Sequence, residues 1–289
     1  MRRRTICALA VVAAAALTAL RVWQYLWIID VTTGFFTGTD VTVYLLYGSL
    51  AVFTLLAGTV AMVDKTIGLA RTPFLRARPL GGVLLLTGGA TLVRAILAFA
   101  GGDYGSTIDL KAIAMNLLTL AAAAVFIYYG CSLIGGRTLN HKLLPLVPAL
   151  WVVIRLLTLF RISSTVTPIS ESLLSLLSLI CLSVYFLYFA FSYAGFFSAS
   201  SARWMFLTSL LSFVLIVPNT LGMLLSSFAN AFYSLEPVWY VERVADLCLA
   251  FIPLFTALYT AFDNGAAEQL TSPETPAQPG ELGGELPQV

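Results

Sequence analysis

The chain has 289 residues, 59% of them hydrophobic and only 10% charged, with a net charge of +2. A water-exposed globular surface needs roughly a quarter of its residues charged, so this composition excludes a soluble domain. The small net charge, with no basic cluster interleaved with aromatics, excludes a nucleic-acid partner.

Eight apolar stretches, each near the roughly 18–20 residues that cross a bilayer core, fall at about 5–28, 41–63, 80–100, 112–134, 143–161, 172–196, 204–227 and 238–262. The first follows Arg2, Arg3 and Arg4 and has small residues near Ala19, as a secretory signal does. The apolar run continues through Val22 to Ile29, which favours an uncleaved first helix. On it, Thr18, Arg21 and Tyr25 share a face. Thr37-Gly38-Thr39-Asp40 leads into the second span, with Asp40 as a candidate N-cap.

The third span carries Gly81, Gly82, Gly88 and Gly89, small residues that permit close helix approach. Its Thr87, Thr91 and Arg94 share a face, and Gly101-Gly102-Asp103 follows as a turn. The fourth span ends at Gly135-Gly136. The fifth puts Pro148, Trp151, Arg155 and Thr158 on one face. The sixth begins with Ser172, Ser175 and Ser178, read as small packing residues, and its aromatic-rich end is expected at a membrane interface. Trp23, Trp27, Trp204 and Trp239 fit such an aromatic belt.

In the seventh span Pro218 removes a backbone hydrogen bond, Asn219 adds an amide and Gly222 loosens the next turn. Broken helices of this kind mark sites in some transporters, although proline is also tolerated in membrane helices that hold no site. Pro253 interrupts the eighth span, which opens with Glu242, Arg243 and Asp246. Beyond it, residues 263–289 contain no Lys or Arg, several prolines and few large apolar residues, the signature of a disordered acidic tail.

Basic residues alternate between loops. Lys65, Arg71, Arg76 and Arg78 follow the second span, Arg137 and Lys142 the fourth, and Arg203 the sixth. The other loops hold Asp30, Asp40, Asp103, Asp109, Glu171 and Glu236. The positive-inside bias assigns the first set to the cytoplasm, and eight spans then place both termini there, in a multi-pass protein of the cell membrane. The fold class expected is an all-α polytopic membrane bundle over 1–262 with a cytoplasmic tail, arranged as four helical hairpins or two halves of four spans.

An arginine in hydrocarbon needs a partner or a purpose. Arg21 and Arg94 each precede an aspartate, Asp30 and Asp103, by nine residues, about 13–14 Å of helix. Arg155 lies at a similar depth. Glu242, Arg243 and Asp246 start a returning helix and so occupy the same half. The candidate ligand-binding residues are therefore Arg21, Arg94, Arg155, Arg243, Glu242, Asp246 and Asn219. They either pair to pin the bundle together or line a pocket, and the excess of arginine leans toward an anionic or zwitterionic ligand.

Walker A, G-x-S-x-G and H-E-x-x-H sequences are all missing, and no cofactor is implied. Cys7, Cys131, Cys181 and Cys248 lie in apolar segments without C-x-x-C spacing, and His141 is the single histidine, so no metal site is expected. The expected partners are the lipid bilayer, a small anionic ligand and a membrane protein partner. A transporter-like protein is the first functional expectation; a structural or assembly subunit and a lipid-modifying membrane enzyme are the alternatives.

Overall fold

The computed structural model describes residues 2–29, 41–64, 67, 78–100, 110–136, 141, 143–163, 169–194, 196, 198–229 and 237–262. The turns expected at 37–40 and 101–103, the tail 263–289 and the Ser172 side chain lie outside them. The described residues form eight helices: α1 (Arg2–Trp27), α2 (Val41–Val63), α3 (Arg78–Ala100), α4 (Leu110–Ile134), α5 (Leu146–Ser163), α6 (Ile169–Ala194), α7 (Ala199–Ala229) and α8 (Pro237–Phe262). Seven are long and apolar enough to cross a membrane. The exception is α5, with 18 residues, about 27 Å of helix. The protein is a polytopic helical membrane bundle.

Neighbour relations define the architecture. Helices α3 to α8 pack each on the next, and α8 returns to α3, closing a ring of six. α1 and α2 sit outside this ring, against α7 and each other, and α1 also touches α8. Paired contacts fix the directions. Gly81 meets Gly130 while Gly88 meets Ala123, so α3 and α4 are antiparallel. Thr87 meets Cys248 and Arg94 meets Glu242, so α3 and α8 are antiparallel as well.

Lipid tails are as apolar as leucine, so close packing and interhelical hydrogen bonds must hold such a bundle together. At the α3–α4 seam, a Cβ on Gly88 would lie 2.7 Å from Ile127 Cγ1 and 3.1 Å from the Ala123 carbonyl oxygen. Gly81 and Gly130 are equally tight, whereas Gly82 and Gly89 meet nothing within 4 Å. Only one glycine of each expected pair serves the seam.

The aromatic stretch of α6 turns several of its rings toward neighbouring helices. Tyr185, Phe186 and Phe189 are buried, in edge-on and tilted contact with one another and with Phe126 of α4. Tyr185 and Thr256 of α8 share a hydrogen bond of 2.8 Å. Packing against facing rings takes these side chains inward, while Trp23 and Trp27 of α1 stay exposed.

α7 is buried nearly all round. Ser198 caps it, its Oγ accepting from Ser201 N at 3.1 Å. Contrary to a broken-helix reading, α7 runs without interruption through Pro218. At the end remote from Arg94 and Glu242, Arg3 reaches Asp64 at 3.3 Å and donates to the Thr260 carbonyl at 3.0 Å, tying α1, α2 and α8.

Candidate functional site

The half of the ring containing the α8 start encloses a cavity of about 390 Å³, and every ring helix contributes to its wall. On α3, Thr87 donates to the carbonyls of Val83 and Cys248 at 2.9 and 3.0 Å, which turns its face toward α8. Two turns later on that face, Arg94 Nη2 meets Glu242 Oε1 at 2.5 Å. On α5, the buried Trp151 donates Nε1–H to Thr119 Oγ1 of α4 at 3.0 Å. One turn beyond it, Arg155 donates Nη1 to Asp246 Oδ1 at 2.5 Å and Nη2 to Oδ2 at 2.6 Å. Arg155 Nη2 also lies 3.6 Å from Glu242 Oε1.

Glu242 and Asp246 stand one turn apart on α8, so a single helix face presents both carboxylates to two arginines from two other helices. Arg243 is different. Its guanidinium lies 5.4 Å from the Trp239 ring, its Nε makes no hydrogen bond, and no described carboxylate is within ion-pair distance. Arg155 and Asp246 satisfy each other, and Arg94 shares Glu242. Among the described residues the cavity thus holds three guanidiniums against two carboxylates, and Arg243 is the one that forms no ion pair.

On α7, the neighbour of α8 in the ring, Asn219 donates Nδ2 to Ser175 Oγ of α6 at 3.0 Å. Its Oδ1 is buried without a partner. The remaining wall is mainly apolar, with Leu179, Leu182, Ile216 and Leu249 forming much of it. The lining also includes less buried groups, Glu242, whose side chain is 32% exposed, and the exposed Thr158.

Six of the seven candidate residues, Arg94, Arg155, Asn219, Glu242, Arg243 and Asp246, line this one cavity. Arg21 does not. It lies on α1, outside the ring, where it is fully buried against α7. Its Nη1 donates to Gln24 Oε1 at 3.0 Å and its Nη2 to Tyr25 OH at 3.1 Å. Gln24 in turn donates to Thr42 of α2 at 3.2 Å. Arg21 matches the others in depth, but α7 stands between it and the cavity. Ser175 and Ser178, expected only as packing residues, also line the wall.

No protein-family model, curated protein or solved structure matches this chain.

Proposed function

We propose that this protein binds a small anionic or zwitterionic solute in the six-helix ring, as a transporter-type membrane protein. One observation carries the reading: Arg243 lines a cavity of about 390 Å³ beside two arginines that already have carboxylate partners. Pairing Arg94 and Arg155 with Glu242 and Asp246 offsets part of the cost of burying four charges, while the guanidinium of Arg243 keeps the site electropositive. The volume falls in the range of small-molecule sites, roughly 300–1,000 Å³.

The alternation of basic and acidic loops supports a cell-membrane protein with both termini cytoplasmic and the cavity in the non-cytoplasmic half. In this reading α5 is the eighth crossing, since Arg155 reaches the same level as Arg94.

The test is thermal unfolding of the full-length protein in nonionic detergent with a panel of small carboxylates and phosphates. An anion at about a hundredfold excess over its Kd stabilises the native state by about 2.7 kcal/mol, a visible rise in Tm. A panel in which no member raises Tm contradicts the proposal.

A further inference from the structure

Resting on the anion-pocket reading, we propose that the ligand carries a hydrogen-bond donor (a hydroxyl or an N–H) in addition to its anionic group, and that Asn219 Oδ1 accepts it. Asn219 would then be the residue that selects among anions.

The observation behind this is an unmet acceptor. Asn219 is 4% exposed and lies on the cavity wall. Its Nδ2 is committed to Ser175 Oγ, and that serine is itself on the wall. Its Oδ1 has no partner. Native interiors leave few buried polar atoms unmatched, and each one calls for an explanation. A purely structural amide would have both ends satisfied by the helices that pack on α7. With Nδ2 held by Ser175, Oδ1 is the end of the amide left for an atom in the cavity.

The position of Asn219 gives the second part of the argument. Arg94, Arg155, Arg243, Glu242 and Asp246 come from α3, α5 and α8, whereas Asn219 and Ser175 come from α7 and α6. A ligand held by its anionic group at Arg243 therefore meets a neutral acceptor on different helices, across a mainly apolar wall. A site built to hydrogen-bond a hydroxyl rejects analogues that lack it far more strongly than an apolar pocket rejects an added group.

The experiment compares matched anions on the full-length protein by calorimetric titration. In nonionic detergent the pairs are 4-hydroxybutyrate with pentanoate, and 3-hydroxypropyl phosphate with n-butyl phosphate. A lipid pair, phosphatidylglycerol with phosphatidylpropanol in nanodiscs, distinguishes a headgroup from a free solute as the source of the same chemistry. In the wild type, the hydroxyl-bearing member of at least one pair should bind about tenfold tighter. Asn219→Ala should bring that ratio close to one.

Asn219→Asp keeps an acceptor and should retain the ratio, even as its charge weakens both anions. Three results overturn the inference: equal affinities within every pair that binds, a ratio that survives Asn219→Ala, or a ratio lost in Asn219→Asp. Binding of no member of any pair would instead refute the anion pocket itself.

Discussion

Arg155 and Asp246 meet as a two-bond fork, Nη1 to Oδ1 at 2.5 Å and Nη2 to Oδ2 at 2.6 Å, with side-chain exposures of 14% and 12%. The fork joins α5 to α8 across the ring and uses both oxygens of the carboxylate. This arginine therefore holds the wall together, in contrast to Arg243, which forms no ion pair among the described residues. Removing one member of a buried pair leaves an uncompensated charge, which costs about 3–5 kcal/mol. Arg155→Ala should lower stability by that amount, measured by thermal unfolding in detergent. The double variant Arg155→Met with Asp246→Leu should recover most of it, because no charge is then left alone.

At the α3–α4 seam, Gly88→Ala should destabilise by about 1–3 kcal/mol. The new methyl meets Ile127 Cγ1 at 2.7 Å, Ile127 N at 3.0 Å and the Ala123 carbonyl at 3.1 Å. Backbone atoms cannot step aside. Gly89→Ala, one residue along and facing open space, should be neutral or stabilising by up to about 1 kcal/mol. Unfolding curves of the two variants, measured side by side, check the assignment of faces.

Arg21 offers a control for the site. Its Cβ would lie 2.9 Å from a Cβ placed on Gly222, so α1 and α7 are in close contact there. Arg21→Met removes the hydrogen bonds from the guanidinium to Gln24 Oε1 and Tyr25 OH and should destabilise by about 1–3 kcal/mol. Anion affinity should change less than twofold, since this side chain lies outside the cavity. A large loss of affinity would mean that the two polar clusters are coupled through α7.

Much of the fold was legible because each helix carries its own signal. Apolar runs bounded by charges and glycines placed all eight helices with end errors of at most five residues, the largest at the α7 start, where Ser198 caps the helix earlier than the apolar run begins. Depth was equally legible, because position along a helix follows from counting residues. Six of the seven candidates reach one cavity for that reason. What counting cannot supply is which helices neighbour one another. Arg21 has the depth and the polar stripe of Arg94, yet α1 packs outside the ring. Likewise, Ser175 reads as a packing residue on its own and becomes part of a wall only when α6 lies beside Asn219. The run through Pro218 shows the same dependence on neighbours: α7 is buried along most of its length, and the helix continues through the proline.

Arg243 carries the central claim, and titration of the best stabilising anion against wild-type and Arg243→Gln protein tests it most directly. A charge-assisted hydrogen bond contributes about 1.5–3 kcal/mol, so affinity should fall by roughly ten- to a hundredfold while Tm without anion shifts little. Unchanged affinity in a well-folded Arg243→Gln protein would contradict the account.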